Sequence, residues 1–251
     1  VPLRGAGRPP AAVSRGDRVK PWVGTSGYSY KEWKGSFYPD GLPAKDMLRH
    51  YAGRLPAVEI NNTFYRLPKI EVLESWRELV PSSFRFVLKA SQKITHIKRL
   101  EGSEEETGYL LRAAGALGER LGPILFQLPP NFRKDLPRLE AFLNLLAQLD
   151  DGIRAAFEFR HPSWFDETVF ESLRRHGCAL CTADVDEEED ARVESTAAWG
   201  YLRLRRTEYD EQSLARWSDR VMAQGWSEAF VFFKHEDGGV GPRLAGRFVE
   251  L

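Results

Sequence analysis

From Trp22 onward, short apolar runs alternate with longer stretches in which apolar residues recur at helical spacing. This is the pattern of parallel β/α units. The runs are PWVGTS (21–26), AVEIN (57–61), FRFVLKA (84–90), GPILFQLP (122–129), IRAAFEF (153–159), CALCTADV (178–185), GYLRLR (200–205) and EAFVFFKH (228–235). Helical periodicity predicts segments over 44–54, 69–80, 104–121, 136–149, 166–176, 211–224 and 242–251. Eight strands interleaved with seven helices predict an α/β fold, a closed TIM-type (β/α)8 barrel of parallel strands, because an open sheet of that width would leave edges to protect. Residues 1–20 carry Pro, Gly and Arg without apolar period and are expected to form a flexible tail, leaving 21–251 as one barrel domain. The acidic connection DVDEEEDARVES (184–195) reads as irregular.

In such a barrel alternate strand residues point into the lumen, and the C-terminal strand ends form the functional face. With Val58 and Ile60 facing the helices, Glu59 and Asn61 point inward; with Phe157 and Phe159 outward, Glu158 and Arg160 point inward. The same parity is read for Lys89, Gln127, Asp184, Tyr201, Arg203, Arg205 and Lys234. Branched apolar side chains usually fill a barrel lumen, so a polar group at the end of nearly every strand predicts either an internal ion-pair plug or a ligand pocket. Five cations (Lys89, Arg160, Arg203, Arg205, Lys234) against three carboxylates (Glu59, Glu158, Asp184) leave two net positive charges, which favours an anionic ligand group.

Composition narrows the function classes. Hydrophobic residues at 42% and charged residues at 29% fit a globular core. Thirty-six Lys and Arg balance thirty-six Asp and Glu, so no global charge draws the chain to nucleic acid or a membrane surface. With neither a run long enough to cross a membrane nor an apolar signal-peptide core, the expected location is the cytoplasm. Cys178 and Cys181 spell C-x-x-C, but residues three apart on a strand point to opposite faces, and they are expected to be two core thiols. No Gly-rich dinucleotide fingerprint, phosphate loop, nucleophile elbow or paired-His zinc motif is present, so no cofactor or metal is expected.

Within the inward set, Glu59, Lys89, Glu158 and Asp184 are the candidate catalytic groups. The carboxylates are candidates as general bases, and the lysine as a desolvated nucleophile toward a carbonyl. Ser26, Tyr28, Asn61, Tyr65, Gln127, Arg160, Tyr201, Arg203, Arg205 and Lys234 are the candidate ligand-binding groups. Trp33, Phe37 and Tyr38 crowd the first loop with Tyr28, and Phe64 joins Tyr65 after the second strand; such aromatics either stack a ligand or pack the loops over the mouth. His96 and His161 follow the third and fifth strands.

The segments GTSGYSYKEWKGSFYP (24–39), VEINNTFYRLP (58–68), FRFVLKAS (84–91), GPILFQLPPNF (122–132) and AFEFRHPSWF (156–165) resemble those of the YecE-like family, domain of unknown function 72. That resemblance implies an eight-stranded barrel and implies no activity. The family's motif positions on the inward parity are Glu59, Asn61, Lys89, Gln127, Glu158, Arg160 and Asp184. Two places depart from its common pattern: Arg205 and Arg206 stand where members often carry Y-x-R-x-H-G, and Phe233, Lys234 and His235 replace a Phe-Asn-Asn type ending.

Together these readings lead to an expected enzyme acting on a small anionic substrate, phosphate- or carboxylate-bearing, by acid/base chemistry. The alternatives are a nucleic-acid-processing protein, opposed by the zero net charge, and a non-catalytic ligand sensor on the same barrel.

Overall fold

The computed structural model describes residues 19–186 and 191–251; most of the expected tail and residues 187–190 of the acidic connection lie outside the described residues. Eight parallel strands close in sequence order into a barrel: β1 (Lys20–Ser26), β2 (Ala57–Ile60), β3 (Arg85–Lys89), β4 (Leu121–Gln127), β5 (Ala155–Glu158), β6 (Ala179–Asp184), β7 (Trp199–Leu204) and β8 (Glu228–Phe233). Pairing of β1 with β8 completes the ring. Among the described residues seven α-helices surround it: α1 (Met47–Ala52), α2 (Ile70–Leu79), α3 (Glu104–Ala114), α4 (Leu136–Leu149), α5 (Glu167–Arg175), α6 (Glu211–Met222) and α7 (Val240–Glu250). The expected helix 104–121 ends early, and a 3-10 stretch, Gly115–Arg120, leads into β4. Of the acidic connection, residues 191–195 carry neither helix nor strand.

Alternation along each strand builds two cores. Outward residues such as Val58, Phe86, Phe126, Phe157 and Val231 pack with helix residues including Leu73, Leu139 and Phe170. Inward residues fill the lower lumen, among them Trp22, Val87, Leu125, Ala156, Tyr201 and Phe230. Acidic residues start the later helices: Asp135, Asp166 and Asp210 accept from the Arg138, Thr168 and Ser213 amides of α4, α5 and α6, satisfying amide groups that lack intrahelical partners. At the N-terminal end, Trp22 Nε1 donates to Glu228 at 2.6 Å, Arg154 pairs with the same carboxylate, and the Arg85 guanidinium lies 4.6 Å from the Trp22 ring centroid. That end is thus closed by aromatic rings and paired charge, and the opposite end is where polar groups gather.

The two cysteines part as strand geometry requires. Cys178 packs in the helix-facing core and Cys181 in the lumen, both as free thiols. Burial pushes the Cys178 thiol up to about 12 and the Cys181 thiol well above its ordinary value, so both stay protonated near neutral pH.

Candidate functional site

At the C-terminal end, the last inward residues of β1, β2, β4, β5 and β7 meet across the lumen, because paired residues on adjacent parallel strands share a face. Arg203 on β7 spans the space. Its Nη2 donates to Glu59 Oε1 of β2 at 2.9 Å, and its Nη1 donates to Glu158 Oε2 of β5 at 2.6 Å. Glu59 also accepts from Ser26 Oγ at 2.7 Å and Tyr201 Oη at 2.6 Å. Glu158 accepts from Gln127 Nε2 at 2.7 Å and Arg160 Nε at 3.2 Å, and Arg205 Nη1 stands 3.5 Å from its Oε1. Glu59, Glu158 and Arg203 are all fully buried.

These contacts set the protonation states. Burial opposes ionisation of Glu158, but Arg203, Arg160 and Arg205 outweigh it and hold the carboxyl down to about 2. Burial likewise opposes ionisation of Glu59, yet Arg203 with the Tyr201 and Ser26 hydroxyls keeps it below the usual carboxylate range. For Tyr201, burial and the adjacent Glu59 push the phenol well up, so it remains a donor.

Above this layer lies a cavity of about 400 Å³ lined by Asn61, Tyr65, Lys89, Gln127, Arg160, Arg203, Arg205 and Lys234 from the expected set. Tyr30, Asn62, Phe64 and Glu236 complete it. The Lys89 Nζ lies 4.3 Å from the Phe64 ring centroid, and Phe64 meets His96 edge-on at 4.8 Å. Burial, followed by the Arg203 charge, pushes the Lys89 amine down to about 8. Arg160 and Arg205 also line a second, adjoining cavity of about 680 Å³ with Phe159, Phe165, Cys181 and Arg192.

Two expected members fall elsewhere. Asp184 points to the helical layer, where it accepts from Tyr209 Oη at 2.7 Å, Trp217 Nε1 at 3.0 Å and Arg206 Nε at 2.7 Å. The register explains this correction. Cys181 pairs with Tyr201 and Ala183 with Arg203, both lumen residues of β7, so Asp184 shares the outward face of its partner Leu204. Tyr28 is half-buried against the outer core, its ring 6.1 Å from Tyr51, and Tyr30 takes the place at the mouth expected for it. The other aromatics of that loop pack: Trp33 and Tyr38 are buried, and Trp33 Nε1 donates to the Glu236 carbonyl at 2.9 Å. His161 turns to local structure, its Nδ1 accepting from the Ser163 amide at 3.1 Å.

Glu236 lies outside the expected set, although its position continues the inward parity of Phe232 and Lys234. With Asp184 gone and Glu236 added, five cations still face three carboxylates at the mouth, a surplus of two positive charges. Tyr30 had no such signal, because it lies in a loop without period.

Comparison with known proteins agrees with the barrel. UPF0759 protein YecE of Escherichia coli (strain K12) is 32% identical over 157 residues, 60% of this chain and 56% of that protein. UPF0759 protein YunF of Bacillus subtilis (strain 168) is 29% identical over 162 residues, covering 60% of this chain and 54% of that one. The chain thus spans little more than half the length of these curated relatives. The crystal structure of a DUF72 family protein from Thermotoga maritima superposes with a TM-score of 0.79 at 27% identity, over 92% of this chain and 98% of that chain. A DUF72 family protein from Enterococcus faecalis, at 21% identity and a TM-score of 0.75 over 92% and 94% of the two chains, shares the fold. The family model for protein of unknown function DUF72 matches residues 22–251, all but the first two residues of the barrel just described, and the chain belongs to that family.

Proposed function

We propose that the barrel mouth binds a small anionic substrate, phosphate- or carboxylate-bearing, and that the protein is an enzyme performing acid/base chemistry on it. The observation that carries this reading is Arg205. Among the described residues its buried Nε and Nη1 have no hydrogen-bond partner, although the side chain lines the cavity. A half-buried guanidinium whose two buried nitrogens make no hydrogen bond, Nη1 standing only in a longer ion pair with Glu158, is costly, and an oxyanion at the mouth supplies the acceptors. Arg160, which also bonds Glu158, and Lys234, exposed at the rim, add charge to the same cavity.

Glu59 and Glu158 serve here as positioning groups. Both are ionised and fully engaged by donors, a poor state for a group that must take up and release protons near neutral pH. Lys89, its amine pushed down to about 8 by burial and the Arg203 charge, is better suited to exchange a proton near that range.

The test is thermal unfolding in sulfate or phosphate at constant ionic strength. A ligand that binds only the native state raises Tm saturably by mass action. The expected result is a saturable rise with the unaltered chain that Arg205→Gln and Arg160→Ala each reduce while remaining folded. A shift no different from that of neutral solutes overturns the reading and leaves an internal ion-pair plug.

A further inference from the structure

Lys89 ends β3 on the lumen side, half-buried, with its stem in the barrel and its amine at the cavity. The carboxylates that act on it are otherwise engaged. Glu158 takes Gln127, Arg160 and Arg203, and Glu59 takes Ser26, Tyr201 and Arg203. Among the described residues the amine forms no ion pair with a carboxylate. The amine lies over the face of the Phe64 ring, 4.3 Å from its centroid. A lysine that plugs a lumen would be expected to sit on a carboxylate, since an unpaired buried ammonium is disfavoured. Here the arginines hold the carboxylates and the lysine is left facing the cavity beside an aromatic ring.

We propose that Lys89 is an imine-forming residue, its amine condensing with the carbonyl of a small 2-oxo acid whose carboxylate is bound by Arg160 and Arg205. The second half rests on the anion-binding reading above; the first stands on the placement of the amine. In the reaction, the lone pair of the neutral amine forms a bond to the carbonyl carbon, and the carbonyl oxygen takes up a proton from water at the open mouth. The carbinolamine then loses its hydroxyl as water, one nitrogen proton having been released, and the product is a protonated imine. The step consumes one carbonyl compound and one proton and yields one water, with no change of oxidation state. The surroundings favour it twice. With the amine near 8, roughly one molecule in ten is neutral at pH 7, against roughly one in a few thousand for an ordinary lysine. Arg160, whose charge adds to burial and Arg203 in depressing the amine, also draws the carboxylate of the substrate to it.

The experiment is reductive trapping. The full chain is incubated with pyruvate and cyanoborohydride, and modified lysines are located by peptide mass mapping; parallel samples contain acetone, an uncharged ketone of similar size. The expected result is an adduct at Lys89 with the mass of pyruvate less one oxygen. Trapping there should rise through about pH 8 and exceed modification of surface lysines. Pyruvate should react about tenfold or more faster than acetone, the effect of one hydrogen bond to a charged group. Lys89→Arg, which keeps the charge and cannot form an imine, should abolish that adduct and retain the sulfate-induced rise in Tm.

Unmodified Lys89 beside a retained sulfate shift overturns the imine proposal alone and leaves Lys89 as an anion-holding charge. Equal trapping of acetone and pyruvate overturns the assignment of an anionic substrate. Loss of both trapping and sulfate shift overturns this proposal and the anion-binding reading together.

Discussion

Arg203 lets two carboxylates share the interior of one barrel. Taken alone, Glu59 and Glu158 would repel each other and suffer the loss of water, and each would favour its neutral form. The guanidinium gives one arm to each, and the two carboxylates accept further from Ser26, Tyr201, Gln127 and Arg160. Such a triad is not a net source of stability, because desolvation offsets the attraction, but removing its centre leaves two buried charges uncompensated. Arg203→Ala is therefore expected to lose about 3–5 kcal/mol, measured as a shift of the urea midpoint at neutral pH. A loss under about 1 kcal/mol, the range of an ordinary surface change, would show that the carboxylates do not depend on it. At this scale much of the mouth was legible. Glu59, Lys89, Gln127, Glu158 and Arg160 each follow an outward apolar residue by one position, so alternation alone turns them inward. Tyr28 and Tyr30 show where that signal stops, since two tyrosines in an aperiodic loop differ in destination only through tertiary packing.

At the scale of elements, β6 shows how a strand's parity is misassigned. The run CALCTADV is apolar on both faces, so alternation alone gives its polar terminus no direction. Its small residues held the answer: Ala179, Cys181 and Ala183 alternate, and small side chains are what a lumen already filled by Tyr201, Phe230 and Phe232 accommodates. Asp184 instead ties β6 to the following layer by accepting from Tyr209 and from Trp217 of α6. That placement separates stability from ligand binding. Asp184→Asn removes the charge and leaves a poorer acceptor set for three donors, so a loss of about 1–3 kcal/mol is expected. The sulfate-induced rise in Tm should persist undiminished in the same variant. If the stability loss is absent, the clip is not what holds α6; if the sulfate effect vanishes, Asp184 belongs energetically to the mouth despite its direction. The connection from β3 to α3 could not be read at all. It forms a π-helical turn, Lys93–Ile97, followed by left-handed backbone at Arg99 and Leu100, conformations that propensity does not announce for non-glycine residues.

Across the whole molecule the barrel separates a closed, aromatic N-terminal end from a charged C-terminal mouth, and this separation has a pH signature. Glu158 has its folded pKa depressed to about 2, against about 4.3 for a free glutamate. A depressed carboxylate contributes stability that is fully present above the unfolded value and is lost as pH falls through the folded one. Between about pH 4.5 and 2 the unfolded chain binds a proton that the native barrel refuses, so unfolding becomes progressively easier on the acid side. The displacement corresponds to roughly 3 kcal/mol for this one group, and Glu59, depressed by the same Arg203, acts in the same direction. Exposed carboxylates such as Asp166 and Asp210 are lowered too, so an acid limb by itself does not identify the mouth. Glu158→Gln does. It keeps the size of the side chain and removes its titration, so the variant should be less stable at pH 7 yet lose stability less steeply between pH 4.5 and 2, the two curves converging toward the acid end. Urea midpoints across that range, in chloride buffers free of sulfate and phosphate, read the comparison without occupying the mouth. Parallel curves for the two proteins would mean that Glu158 is not held ionised by the arginines, and the positioning role assigned to it would fall with that.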